Sequence, residues 1–217
     1  MCWNKDISLN TFLFSSFILC LIIYNNAFTR YKIDDLNNVY VYIFFVSFIL
    51  MQLIEYFIWV FIKNPLYNSI FTALATLLLM LQPIATIMLI SNKIVKKRLL
   101  YSYLLYILPV SIYRFNHITG VNSSVSKLGH LKWNTILANN DLDLHNMLFD
   151  SIWLFFFLFP LFYEGYNFAL IFGLLTLMLI IYNFYNDKTI GSMWCWIVNS
   201  IMIYYAIYLL IYLPYFN

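Results

Sequence analysis

The sequence predicts an all-α integral membrane bundle of seven transmembrane helices, and three observations predict it. Of the 217 residues, 64% are hydrophobic and only 10% are charged, whereas a soluble domain is nearly half apolar and about a quarter charged. The apolar residues are gathered into runs close to the roughly 20 residues that cross a bilayer as a helix. These runs are continuous, without the alternation of a barrel strand, so helices satisfy the backbone in lipid. Seven runs with short connections use nearly the whole chain, leaving a single transmembrane domain over 1–217. A net charge of +3 is too small to point to nucleic acid. The bilayer is the expected partner, and the basic residues are topology signals.

The spans fall near 8–28, 39–62, 67–91, 99–115, 147–163, 166–185 and 192–216. Lys5 ahead of the first run resembles the start of a secretory signal, but Tyr24-Asn25-Asn26-Ala27 offers no small-x-small cleavage site and the run continues to full length. Pro83, Pro109 and Pro160 lie inside spans three, four and five, where each removes a backbone donor and can kink its helix. The long connection 116–146 holds all three histidines, and a compact bundle often carries function on such a loop. No internal repeat is present.

Seven crossings put the N-terminus and connections 2–3, 4–5 and 6–7 on one side, A, and the C-terminus with the other connections on side B. Lys5, Lys63, Arg114, Lys127, Lys132 and Lys188 lie on A, against Arg30, Lys32, Lys93, Lys96, Lys97 and Arg98 on B. The counts are equal, but the cluster from Lys93 to Arg98 abuts two span ends, where positive charge weighs most. Side B is therefore expected to be cytoplasmic, with the N-terminus outside or lumenal.

All six tryptophans fall to side A: Trp3, Trp133, Trp194 and Trp196 in or beside its connections, Trp59 and Trp153 in the adjoining halves of their spans. Interfacial belts usually occupy both surfaces. An indole pairs a large apolar face with one N–H donor, which suits a pocket mouth; the alternative is a Trp-rich plug that seals the bundle. Glu55 lies about 10 Å below the side-A boundary, in a layer with Ser15, Ser16, Thr72, Thr76, Ser111 and Asn199, while Gln82 lies deeper. A carboxyl at this depth must face the bundle interior or water. Gln52, Glu55, Tyr56 and Trp59 share one helical face by their spacing. The bland alternative is that Glu55 merely clips helices together. His130 sits in a polar loop, and three histidines without HxxxH or HExxH spacing do not define a metal site. Cys2 and Cys195 share side A; a disulfide, two free thiols or a Cys-His metal site with His130 all remain open. Ser-His-Asp order, a Gly-rich phosphate loop and paired catalytic carboxylates are not found, so no catalytic residue is assigned.

Met1-Cys2-Trp3, the Gln52/Glu55 helix, Gln82-Pro83, Gly129-His130-Leu131-x-Trp133 and Trp194-Cys195 together resemble a family of short polytopic membrane proteins of unknown function, met in fungi, protists and large DNA viruses. The similarity runs over almost the whole chain, although each motif is short. In many members of that family the Glu and Gln of span two are exchanged. The resemblance implies a shared architecture and marks Cys2, Trp3, Gln52, Glu55, Gln82, His130, Trp133, Trp194 and Cys195; it implies no activity.

Four functions compete. The first is binding of a small molecule or ion in a pocket open to side A, lined from Gln52, Glu55, Trp59, Thr76, Gln82, His130, Trp133, Trp194 and Asn199. The second is a channel or carrier with Glu55 and Gln82 as successive polar stations. A membrane enzyme using Glu55 or His130 ranks third for want of catalytic spacing, and a structural membrane or virion protein is the fourth. The sequence leaves the cofactor unknown. Retinal is disfavoured because span seven has no lysine for a Schiff base, Lys188 lying before it. The topology is tested by reporter fusions after Lys97 and after His130, which are expected on opposite sides of the membrane; the same side for both would undo the seven-span order.

Overall fold

The computed structural model describes residues 4–117, 121–134 and 144–216. Helices dominate: α1 Lys5–Phe28, α2 Val39–Val60, α3 Pro65–Ile87, α4 Lys93–His117, α5 Leu144–Tyr163, α6 Asn167–Phe184 and α7 Ile190–Val198, followed by α8 Ile201–Ile207, a π-helical turn Tyr208–Tyr212 and α9 Leu213–Phe216. The last four pieces together form one apolar stretch, Ile190–Phe216. Asparagine starts the first four helices. Asn4, Asn38, Asn64 and Asn92 each accept from the first free backbone N–H groups of the helix that follows.

Five of these elements are long and apolar enough to cross a membrane: α1, α2, α3, α6 and Ile190–Phe216. The chain is thus of the integral membrane type. α4 falls short in composition because Lys93, Lys96, Lys97 and Arg98 occupy its first turns, and the apolar part of α5 is the shorter run Asp150–Tyr163. In the best window of α2 and of α3 half the residues are buried, against 28% in α1 and 22% in α6, so α2 and α3 form the middle of the bundle. α2 packs on α1, α3 and α7; α3 also packs on α5 and α4; α5, α6 and α7 follow one another, and α8 returns to α1. First and last helices are therefore neighbours, as closure of the bundle requires. The outward faces are apolar, with Leu13, Phe17, Leu105, Ile112, Ile171 and Met178 all exposed, the pattern of surfaces that face lipid tails.

The prolines explain how the α3–α5 seam is built. Pro83 has no N–H, so the carbonyl of Leu79 one turn earlier loses its helical donor. The Trp153 indole N–H, from α5, donates to that carbonyl at 3.1 Å. Pro160 likewise frees the Phe156 carbonyl of α5, and the Thr86 hydroxyl on α3 reaches it at 3.3 Å while also lying 2.9 Å from the Pro83 carbonyl. Each helix thus repairs the break in the other. Next to the first break, the Tyr103 hydroxyl donates to the Met80 carbonyl at 2.7 Å and ties α4 to the same place.

The fold departs from an all-helical expectation in the connection between α4 and α5. Strands β1 Asn122–Val125 and β2 Leu131–Asn134 form an antiparallel hairpin, pairing Ser123 with Trp133 and Val125 with Leu131. Its turn is closed by Ser126 N–H on the His130 carbonyl at 2.8 Å and by Gly129 N–H on Ser126 O at 3.0 Å. Gly129 supplies the positive φ of 83° that the turn needs.

Removing the Trp153 donor tests the proline repair. Trp153→Phe is expected to lower stability by about 1 kcal/mol. Its cost should shrink in a Pro83→Ala background, where residue 83 can again donate to Leu79. A double-mutant cycle by reversible unfolding measures the coupling; equal costs in both backgrounds would assign the effect to packing alone.

Candidate functional site

The inward stripe of α2 carries the polar centre. Gln52 and Glu55 are both buried within this stripe, with Tyr56 and Trp59 half-buried beside them. The two are one helical turn apart, and Gln52 Nε2 donates to Glu55 Oε2 at 2.9 Å. Across the interface stands α7. Its Ser192 turns a hydroxyl toward the Glu55 carboxyl, short of a geometrically complete hydrogen bond, and Cys195, one turn further, lies within electrostatic reach of Glu55. Another turn on, Asn199 Nδ2 donates to the Cys195 carbonyl at 2.8 Å and across to the Phe48 carbonyl of α2 at 3.3 Å. On the α1 side, Trp196 Nε1 donates to Thr11 Oγ1 at 3.1 Å, which sets Ser15 and Asn199 about a turn deeper on their two helices. Four buried side-chain oxygens here have no hydrogen-bond partner in the protein: Ser15 Oγ, Gln52 Oε1, Glu55 Oε1 and Asn199 Oδ1. A native interior leaves few such atoms, and these four lie on the mutually packed elements α1, α2 and the Ile190–Phe216 stretch.

The hairpin covers the end of the bundle that holds the α2–α3 and α6–α7 connections, clamped at two points. On α3, the Asn68 side chain behaves as a strand edge: its Nδ2 donates to Ser123 O at 2.9 Å and its Oδ1 accepts from Ser123 N–H at 2.7 Å. Thr72 adds a hydroxyl contact to Ser123 Oγ at 2.8 Å. At the α6–α7 connection, Asp187 accepts from Ser126 Oγ at 2.5 Å and from Thr189 Oγ1 at 3.3 Å. Ser123, His130, Leu131 and Trp133 are buried. Trp133 lies against Gly191, where an added Cβ would stand 3.1 Å from the indole ring, so a larger residue would require the ring to shift by a few tenths of an ångström. His130 meets the edge of Phe184 with ring centroids 5.0 Å apart. Burial pushes its imidazole below the ordinary value, while the nearby Asp187 carboxylate acts in the opposite direction.

The predicted site residues thus separate into groups. Gln52, Glu55 and Asn199 come together. His130 and Trp133 belong to the hairpin cover. Thr76 donates to the Thr72 carbonyl of its own helix at 2.9 Å. Gln82 reaches the Ser47 carbonyl at 3.5 Å on the α2–α3 seam, whereas Glu55 faces α7. Trp194 donates to Gly173 O at 3.3 Å and lies 3.2 Å from Thr176 Oγ1, so its indole N–H joins α7 to α6. Cys195 is buried; Cys2 and Trp3 lie outside the described residues, and so does the Cys2–Cys195 pairing. Sequence reasoning missed Asn68, Ser123, Asp187 and Ser192. The hairpin was readable from two short segments flanking the Gly129 turn, but its clamps depend on residues about 55 or more positions away.

Two cavities are described. One of about 470 Å³ opens at the opposite end of the bundle, lined by Asp34, Asp35, Phe44, Glu164, Tyr166 and Asn167 among others. The second, about 390 Å³, lies between the hairpin and the α2–α3 connection, beside Lys63, Asn68 and Asn122. Neither is lined by Glu55, Trp59, Trp194 or Asn199; the hairpin stands over the end where a pocket mouth was expected. No family model, curated protein or solved structure matches the chain.

The His130 shift has a definite sign. With the folded value lowered, the neutral imidazole stabilises the fold fully above about pH 6.5, its unfolded value, and that stability is lost as pH falls through the folded value. Melting temperatures measured from about pH 7.5 to 5 should drop more steeply in the wild type than in His130→Gln. Parallel curves would exclude His130 as the source.

Proposed function

We propose that this is a seven-helix integral membrane protein that binds a small ligand at the Gln52–Glu55–Asn199 centre, beneath the hairpin cover, with the N-terminus outside or lumenal. The observation that carries the proposal is the set of unpartnered buried oxygens on three helices, because an interior built only for stability pairs such atoms or replaces them with apolar groups. The five apolar spans, joined by α4 and α5 as the remaining crossings, support the topology. The Lys93–Arg98 cluster at the start of α4 supports side B as cytoplasmic. The hairpin clamps favour access controlled at one end over a continuously open pore.

A ligand that binds the folded state raises its melting temperature by mass action. Purified full-length protein, in detergent, is screened against three probe classes: alkali-metal chlorides, small alkylamines and short-chain carboxylates. At least one class should stabilise the wild type and leave Glu55→Gln unmoved. If no class does so, or if Glu55→Gln responds equally, the centre is not a binding site.

A further inference from the structure

The same centre carries a more specific assignment, which rests on its being a binding site. All four unpartnered atoms are oxygens, and the surrounding bonds fix their orientation. Asn199 Nδ2 is held by two carbonyls, so the amide must present Oδ1 elsewhere. Gln52 gives its N–H to the carboxyl and leaves Oε1 free in the same way. The set therefore consists of one carboxylate, two amide oxygens and a hydroxyl, all with free lone pairs.

A second, independent feature lies at the same place. The seventh helix tightens there, between the end of α7 at Val198 and the start of α8 at Ile201, with Asn199 and Ser200 keeping right-handed helical backbone angles. Between them the bonding tightens, with Asn199 N–H on Trp196 O at 3.1 Å and Ser200 N–H on Ile197 O at 2.9 Å. At about 1.5 Å per residue, the nine residues of α7 bring this turn about 13 Å into the bundle. Lys and Arg are absent from α2, α3, α7 and α8. Within α1 the charged residues are Lys5 and Asp6 in the first turn, α3 has none, and among the described residues the titratable group facing Glu55 is the Cys195 thiol on α7.

We infer that Ser15, Gln52, Glu55 and Asn199 bind one monovalent metal cation of the sodium class. The charge count selects the ion: one carboxylate balances one positive charge, whereas a divalent ion would leave a buried excess. Hard oxygen donors select against thiophilic metals, and among the described residues no three His, Cys, Asp or Glu gather into a transition-metal site.

Binding of radioactive sodium to purified full-length protein by scintillation proximity tests this directly. Saturable binding displaced by unlabelled NaCl but not by choline chloride is expected. Glu55→Gln should abolish it, and Asn199→Ala should weaken it at least about tenfold; circular dichroism and monodisperse elution confirm that both variants fold. No saturable sodium binding, with an amine or carboxylate probe still stabilising only the wild type, would overturn the cation and leave the binding centre standing. Silence of every probe would remove both. Sodium binding that survives Glu55→Gln would place the ion elsewhere and overturn the assignment.

Discussion

A backbone carbonyl in lipid must find its donor within the protein, and the way this chain meets that requirement at Pro83 and Pro160 organises the bundle. Each proline leaves a carbonyl one turn earlier without its helical partner. The donors come from the facing helix, Trp153 for Leu79 and Thr86 for Phe156. The seam between α3 and α5 is thereby held by bonds that neither helix could make alone. With α3 set against α5, and Tyr103 drawing in α4 at the same level, the remaining face of α3 is free for α2. That places α2 in the middle, with its Gln52/Glu55 stripe turned to α7 instead of lipid.

The same requirement makes the α1–α2–α7 interface unusual. Elsewhere in the interior polar groups are closed off locally: Thr76 and Thr176 donate to carbonyls of their own helices, and the Trp194 and Trp196 indoles join neighbouring helices. Around Glu55 several acceptors are left without a donor. Gln52 and Asn199 give N–H groups to the carboxyl and to carbonyls, and four side-chain oxygens remain. Buried acceptors in this state favour a proton or a cation beside them.

The tryptophans gain a different meaning from the structure. Their crowding toward one side suggested a pocket mouth or a plug. Three of the indole N–H groups instead join helix pairs, α5 to α3, α7 to α6 and α7 to α1, while Trp133 belongs to the hairpin over the end of the bundle. Asn68 shows why that hairpin was hard to foresee. Its amide imitates a strand edge for Ser123, a role that exists only when α3 and β1 are already side by side.

The sequence by itself determined the membrane character, the approximate course of the long helices and the importance of Glu55, because apolar length and the cost of a carboxyl in lipid are local properties of composition. It also singled out Gln52 as sharing the helical face of Glu55 and Asn199 as a polar residue of the same layer. Only the tertiary structure decided which of these residues meet. Gln52 and Glu55 are neighbours by helical spacing, but Ser192, Cys195 and Asn199 come from the far end of the chain and Ser15 from the beginning. The meeting depends on how helices pack, and packing is set by shape and by long-range hydrogen bonds such as Asn199 to Phe48, which no pattern along the chain encodes. The tightening of the seventh helix at Asn199-Ser200 was invisible for the same reason, because it is accompanied by a side chain whose second partner lies on another helix.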